Sequence, residues 1–144
     1  MAVNEIDVAA SPDEVFAVLA DPERYADWVV GAAETEEEGG DWPQEGATLR
    51  YEAGAGPLVV TDVTEVVHSD PPRRLVLRAK LRPAGELRIG LVLEPSVRGT
   101  RLTMTEEPVE GLVAATHTRL TDAVLGQRNE AALDRLRQLV EAGR

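Results

Sequence analysis

The 144-residue chain contains no cysteine, and this absence removes a whole group of functions. Without thiols there is no disulfide framework, no thiolate metal site and no cysteine nucleophile. Histidine is nearly absent as well, since His68 and His117 are the only two imidazoles. We therefore expect a protein that holds neither a metal ion nor a cofactor.

Basic residues are also scarce. Lys and Arg together number 15 against 26 Asp and Glu, which gives a formal net charge of −11. A nucleic-acid ligand requires clustered cations that displace phosphate counterions, and an anionic membrane surface repels a chain of this charge. The sequence predicts no nucleic-acid partner, and the acidity is best interpreted as an aid to solubility.

Long apolar runs are missing too. No segment approaches the roughly 18 apolar residues of a membrane-spanning helix. The start, MAVNEIDVAASPDEV, has neither a basic region nor an apolar stretch typical of a secretory signal. We expect a cytoplasmic protein without membrane insertion. The length fits one domain, so we assign residues 1–144 to a single ligand-binding domain and expect a monomer.

The start of the chain predicts a strand followed by two short helices. Residues 4–10 alternate between apolar and acidic side chains, as in a half-buried strand. Ser11 is a good helix cap, Pro12 suits the first helical position, and Glu14 completes a capping box. Pro22 ends this helix and begins the next.

From about residue 30 to Glu107 the pattern changes to strands separated by turn residues. These turns are too short for parallel crossovers, so the six predicted strands form an antiparallel meander, to which residues 4–10 add a seventh strand. One face of the sheet is charged and the other is apolar, which requires a cover. The apolar face comprises Leu75, Leu77, Ala79, Leu81, Leu87, Ile89, Leu91, Leu93, Leu102 and Met104.

The cover is the C-terminal segment, from about residue 112 to residue 142. It has the apolar spacing of a long helix, and Gly126 separates two apolar stripes that are rotated relative to each other. The sequence thus predicts an α+β fold in which a curved antiparallel sheet grips a long terminal helix.

The opening segment, IDVAASPDEVFAVLADPERYADWV, resembles the start of proteins of the SRPBCC (START-like) superfamily, in particular its polyketide cyclase/dehydrase branch. EVVHSDPPRRLVLRA, LEPSVRGTRLTMTEE and NEAALDRLRQLVE extend the resemblance over nearly the whole chain. The residues matching the opening motif are Ile6, Ser11, Pro12, Val15, Phe16, Leu19, Asp21, Pro22 and Trp28. The resemblance implies a helix-grip (Bet v 1-like) fold with an internal cavity.

This resemblance leaves three functions open, because the superfamily hosts several on one fold. The leading hypothesis is binding or transport of a small hydrophobic molecule that is lipid-like, aromatic or polyketide-like, without catalysis. The alternative is a cyclase or dehydratase acting on a ligand in the same cavity. The third is a protein-interaction module, which requires an exposed apolar patch.

Candidate ligand-binding residues come from the small helices, the sheet and the terminal helix. They are Leu19, Trp28, Tyr51, Leu77, Ile89, Leu91, His117, Leu120, Val124 and Arg128. Ordinary core packing is the competing interpretation of each aliphatic residue. The indole N–H of Trp28 needs a partner and suits a position at the mouth, and Trp42, in a later loop, is a candidate to fold over the opening.

The polar candidates each carry two interpretations. Arg128 either anchors a ligand oxygen or extends its charged end to solvent, and the second is the commoner behaviour. His117 and Glu65 are the weak candidates for an acid–base residue. A structural role for the histidine, and a bulge that turns Glu65 outward, compete with those assignments.

Overall fold

The computed structural model describes residues 1–29, 32–55, 58–81, 85–110 and 119–143, and within them it contains seven strands and three α-helices. In chain order these are β1 (Ala2–Val8), α1 (Pro12–Leu19), α2 (Tyr25–Trp28), β2 (Ala32–Gly39), β3 (Thr48–Ala55), β4 (Leu58–Asp70), β5 (Arg74–Leu81), β6 (Gly85–Ser96), β7 (Gly99–Glu110) and α3 (Arg119–Ala142). A 3₁₀ turn, Pro22–Arg24, precedes α2.

The strands form one antiparallel sheet in the order β1-β7-β6-β5-β4-β3-β2. The predicted meander from β2 to β7 is confirmed, and β1 closes it by pairing with β7. The helix-grip fold class is thereby confirmed.

The sheet has two ends, which differ in what lies over them. The capped end contains the end of β1 and the turns at 71–73 and 97–98, with α1 beside them. The far end is where β1 begins and where β3, β5 and β7 end. Helix α3 runs from the far end to the capped end, because Gly126 accepts a hydrogen bond from Asn4 (3.0 Å) and Glu141 accepts one from the Ala9 amide (3.0 Å).

Local chemistry fixes the entry of the chain into α1. Ser11 Oγ accepts a hydrogen bond from the Glu14 amide at 3.2 Å, and Glu14 Oε1 accepts one from the Ser11 amide at 3.4 Å. The predicted capping box is therefore present, with Pro12 in the first turn. Such a cap satisfies amides that the helix itself leaves without partners.

Close backbone packing holds α1 against the capped end. Gly99 has a φ of +139°, and a Cβ at this position would lie 2.6 Å from the carbonyl oxygen of Ala10. The next residue, Thr100, donates its hydroxyl to the same carbonyl at 2.7 Å. Only glycine permits this approach, so the sharp turn before β7 also positions the helix.

The core lies between the inner face of the sheet and the helices. Helix α3 contributes a buried stripe in which residues follow one another at spacings of three or four. These residues are Asn129, Ala132, Leu133, Leu136 and Val140. Four of the five are apolar, and the exception lies nearest the far end.

Candidate functional site

The packing of the inner face changes along β6. Leu93 and Leu91, toward the capped end, are 1% and 0% exposed. Ile89 and Leu87, toward the far end, are 8% and 5% exposed. All four side chains project from the same face of one strand, so the difference reports what lies above them. Leu91 and Leu93 are therefore enclosed completely, whereas Leu87 and Ile89, although buried, are enclosed slightly less completely.

Strand β7 shows the same change. Leu102 is 0% exposed, whereas Met104 and Glu106 are 5% and 6% exposed. Register places Leu102 opposite Leu93, and Glu106 opposite Ile89. Met104 lies opposite Leu91, so the residual exposure begins one residue pair nearer the capped end on β7 than on β6. On β5, the partners of Ile89 and Leu87 are Leu77 and Ala79, which are 1% and 2% exposed.

Beside this region, four of the five aromatic side chains of the protein form one cluster. The ring of Tyr25 lies 5.5 Å from Trp28, 6.0 Å from Trp42 and 5.3 Å from Tyr51, centroid to centroid. The Tyr25 hydroxyl lies 3.3 Å from the hydroxyl of Thr64, and both groups are buried. The edge-to-face pairs of Tyr25 with Trp28 and with Trp42 contribute stability beyond that gained from burial. We therefore expect the cluster to be rigid.

The two indoles in this cluster differ in their hydrogen bonding. Trp42 Nε1 donates to the carbonyl oxygen of Leu19 at 3.1 Å. Trp28 Nε1 is buried without a hydrogen-bond partner. Trp42 is thus a core residue that ties its loop to α1, whereas the buried indole N–H of Trp28 donates no hydrogen bond. A buried donor without a partner is costly and calls for an explanation.

A buried carboxyl group, that of Glu106, follows the apolar residues Leu102 and Met104 on the inner face of β7. Glu106 is directly opposite Ile89 on one side and Ala2 on the other. Burial raises the pKa of the Glu106 carboxyl above 4.5, while a side-chain interaction with Asn129 and the charge of Arg128 counter part of that rise. A carboxyl in such surroundings is more easily protonated than a surface carboxyl, which suits it to acid–base work or to selective hydrogen bonding.

Asn129 is the polar partner that α3 supplies. It is buried close to Glu106, yet its Nδ2 has no hydrogen bond of ordinary distance and angle. Asn4 lies nearby through its bond to Gly126, and its Oδ1 is likewise buried without a partner. The far end therefore combines a carboxyl with unused amide donor and acceptor atoms.

Sequence reasoning missed Glu106 and Asn129, although both patterns contain a signal. The inward alternation Leu102, Met104 continues directly to residue 106. The stripe containing Leu133 and Leu136 continues backward by four residues to position 129. In each case a polar residue stands where the pattern calls for an apolar one.

The structure brings the predicted sheet residues together. Leu77 pairs directly with Ile89, and Leu91 lies two residues further along β6. All three belong to one buried cluster with Leu19 and the aromatic side chains of α2 and β3, Trp28 and Tyr51. Trp28 is buried in this cluster, not placed as an exposed lid. Whether these residues contact a ligand stays a prediction.

The predicted residues of the terminal helix are less fully placed. His117 lies outside the described residues, and so do the side chains of Leu120 and Val124, whose backbone belongs to α3. Arg128 is exposed and interacts with another group. At this point the residue that α3 directs inward is its neighbour, Asn129.

Glu65 lies on the outer face of the sheet. Its neighbours in β4, Thr64 and Val66, are buried on the inner face, so alternation directs Glu65 outward, where it is opposite Arg78. The irregularity in β4 occurs later, between Val66 and His68, so no bulge is required for this orientation. Glu65 is consequently not available to chemistry inside the fold.

Two kinds of feature, a metal site and a membrane-spanning helix, are not found in the part of the chain that the structure describes. No group of three or more His, Cys, Asp or Glu side chains there is arranged to hold a metal ion. Nor does any helix among these residues have the length and apolar character needed to cross a membrane.

Comparison with known families gives one match over almost the whole chain. A family described as polyketide cyclase/dehydrase and lipid transport matches residues 2–141. Comparison with curated proteins gives no similar sequence.

Solved structures share the fold at low sequence identity. A protein from Rhodobacter sphaeroides is 21% identical with a TM-score of 0.77, over 97% of this chain and 91% of that one. A protein from Chromobacterium violaceum is 19% identical with a TM-score of 0.74, over 96% of each chain. DynU16, a protein in the dynemicin biosynthetic locus, is 24% identical with a TM-score of 0.73 over 99% of this chain, which spans 48% of DynU16.

Proposed function

Because the chain belongs to the polyketide cyclase/dehydrase and lipid transport family, we propose that it binds a small hydrophobic molecule between the inner face of the sheet and α3, at the far end. The observation that carries this proposal is the change in packing along β6 and β7, from fully buried leucines to Ile89, Met104 and Glu106. An apolar ligand completes the burial of these side chains.

The energetics favour an occupant. An empty apolar cavity costs about 24 cal/mol per Å³ in truncation series. A ligand-sized space of about 300 Å³ would then cost ~7 kcal/mol, which is comparable to the stability of a typical domain. A bound molecule recovers part of this cost and stabilises the folded state in proportion to its concentration.

The experiment is a thermal-shift titration and native mass spectrometry with a panel of lipids, quinones and aromatic polyketides. We expect at least one class to bind as a 1:1 complex and to raise Tm. At a ligand concentration 100 times its Kd, the expected stabilisation is about 2.7 kcal/mol. Absence of both a complex and a shift across the panel contradicts the proposal.

Two tryptophan substitutions, one that fills the proposed site and one matched control, test where the ligand binds. Ile89→Trp inserts a large side chain on the inner face, while Arg88→Trp places the same side chain one residue away on the exposed outer face. We expect only the inner variant to lose binding. Should Ile89→Trp fold poorly, Leu87→Phe tests the same space with a smaller increment of volume.

A second candidate, a cyclase or dehydratase, is favoured by one observation: the buried carboxyl of Glu106, whose pKa is raised by desolvation. In this scheme the carboxylate removes a proton from a carbon between two carbonyls, and the carbanion forms a C–C bond to a distant carbonyl. The carboxylic acid then protonates the resulting alkoxide, and loss of water follows.

The enzymatic candidate is tested by incubating a short poly-β-ketone thioester with the protein and resolving the products by liquid chromatography and mass spectrometry. Ring formation faster than in buffer, and abolished by Glu106→Gln, supports catalysis. A rate equal to that of buffer, or one that Glu106→Gln leaves intact, excludes this role for the carboxyl.

A further inference from the structure

Among the described residues, four buried polar atoms have no hydrogen-bond partner, and two of them, Asn129 Nδ2 and Asn4 Oδ1, lie at the far end. The other two are Trp28 Nε1 and Ser96 Oγ. Asn129 is 4% exposed and Glu106 is 6% exposed, and they come from α3 and β7 respectively. Asn129 Nδ2 makes no hydrogen bond of ordinary distance and angle, although it lies near enough to the Glu106 carboxyl to act on it as a hydrogen-bond donor and lower its pKa. Burial of a donor in this state is unfavourable unless another molecule accepts its hydrogen.

The fold holds both groups in position. Glu106 is fixed by its pairing with Ile89 and Ala2 in adjacent strands. Asn129 lies one helical turn beyond Gly126, whose carbonyl oxygen is bound by Asn4 of β1 at 3.0 Å. Their positions are therefore set by the sheet and by the seam between α3 and β1, not by a loop. Groups on such rigid elements lose little freedom when a ligand binds.

We propose that Asn129 and Glu106 anchor one hydroxyl group of a neutral, otherwise apolar ligand. The anchor rests on the proposed function, because it requires a ligand in the space at the far end. A hydroxyl both accepts and donates a hydrogen bond, so its oxygen accepts from Asn129 Nδ2 while its hydrogen is donated to the Glu106 carboxylate. If the carboxyl is protonated, it donates to the same oxygen instead.

Other ligand groups fit less well. A ketone or ether oxygen can accept from Asn129 but offers no hydrogen to an ionised Glu106. A ligand carboxylate meets the charge of Glu106 inside the fold, which the charge of Arg128 offsets only in part, and the net charge of −11 opposes its approach. While Glu106 is ionised, the anchor therefore selects alcohols and phenols over fatty-acid-type anions of the same size.

Three compounds with one carbon skeleton test the selection: 2-naphthol, naphthalene and 2-naphthoate, titrated calorimetrically at pH 7. We expect 2-naphthol to bind roughly tenfold more tightly than naphthalene, as a hydrogen bond to a charged group allows, and 2-naphthoate to bind most weakly. This comparison uses the wild-type protein, so it does not depend on any variant folding.

Variants then assign the effect to the two residues. Asn129→Leu should reduce the affinity for 2-naphthol to that for naphthalene while leaving naphthalene binding unchanged. Glu106→Gln should narrow the difference between 2-naphthoate and 2-naphthol. Glu107→Gln removes the same charge from the next residue, which alternation places on the opposite face, and should leave the order of affinities unchanged.

The outcomes separate the anchor from the proposed function. Equal affinity for naphthalene and 2-naphthol in the wild-type protein overturns the anchor while leaving hydrophobic binding in place. Preference for 2-naphthoate overturns it as well. Failure of all three compounds to bind contradicts a site for ligands of this size and therefore also contradicts the anchor.

Discussion

The capped end and the far end of the molecule are built from the same strands and the same long helix, but they differ in how closely their side chains are packed. At the capped end, α1 packs against β7 so closely that Gly99 admits no side chain, and Leu93 and Leu102 are fully buried. At the far end, the same two strands present Ile89 and Glu106, which are slightly exposed. The inner side chains are thus enclosed more completely at the capped end, and the far end is where we propose that the ligand binds.

The two tryptophans of the aromatic cluster differ in whether the indole N–H has a hydrogen-bond partner within the protein. Trp42 satisfies its indole N–H within the protein, through Leu19. Trp28 keeps an unsatisfied buried donor. Buried polar atoms without partners are rare in native proteins, and Trp28, Asn4 and Asn129 each retain one. The atoms of Asn4 and Asn129 lie together at the far end, whereas Ser96 Oγ, which is also buried without a partner, lies at the end of β6 beside the turn at 97–98.

The largest expected effect comes from truncating leucines on β6. Leu93→Ala, at the capped end, should lower the free energy of unfolding by about 3–5 kcal/mol, because the cavity it leaves cannot collapse. Leu87→Ala, at the far end, should cost about 2–3 kcal/mol, since that side chain is less completely enclosed. Urea denaturation measures both. Equal costs, or a larger cost at Leu87, would remove the contrast between the ends.

Replacing each tryptophan by phenylalanine sharpens the comparison. Trp42→Phe breaks the hydrogen bond to Leu19 and should cost about 1–3 kcal/mol more than Trp28→Phe, which removes a donor that has no partner. Both substitutions remove the same atoms from one aromatic cluster, so each is the control for the other. A Trp28→Phe variant that is the less stable of the two would show that its N–H is satisfied within the protein.

The pH dependence of stability tests the buried acid. The pKa of Glu106 is raised in the folded state by desolvation, so the folded protein holds this proton more tightly than the unfolded chain. Its contribution to stability is therefore fully present below pH 4.5 and is lost as the pH rises through the higher folded value. The Glu106→Gln side chain has no proton to lose in this range. The free energy of unfolding of this variant relative to wild type should therefore increase from pH 4 to pH 7.

Glu107→Gln provides the reference for deleting one charge from β7. We measure the free energy of unfolding of the three proteins by urea denaturation at several pH values. The difference between Glu106→Gln and Glu107→Gln should grow with pH. A difference that stays constant, or shrinks, contradicts a buried and desolvated carboxyl at position 106.

The smallest effect is expected at Glu65. Because this side chain lies on the outer face opposite Arg78, Glu65→Gln should change stability by less than about 0.5 kcal/mol and leave ligand affinity unaltered. Calorimetric titration of a bound ligand checks the second expectation. Loss of binding in this variant would place a functional group on the face of the sheet that we assign to solvent.

Much of the fold could be predicted from the sequence because its patterns are strongly periodic. The alternation from Leu87 to Leu93 and the capping box at Ser11 each depend on neighbouring residues alone, and both are present in the structure. The pairing of β1 with β7 joins residues about 100 positions apart, yet it follows once the meander is accepted.

The polar part of the candidate site was harder to predict. The sequence pattern predicts that the last strand ends at Glu107, before Pro108, whereas β7 continues to Glu110 and Pro108 pairs with Leu87 beside a register shift. Proline is tolerated in strands at such irregularities. On α3, the apolar spacing alone does not distinguish Arg128 from its neighbour Asn129 as the residue that faces inward. A rotation of one residue on a helix exchanges an exposed cation for a buried amide.

The most direct measurement is crystallography of the protein under xenon pressure, since xenon enters apolar space without requiring a specific hydrogen bond. We expect xenon between α3 and the inner face at the far end, beside Ile89 and Met104, and none around Leu93 and Leu102. Xenon at the capped end, or no xenon beside Ile89, would contradict the proposal that the interior is closed at one end and receptive at the other.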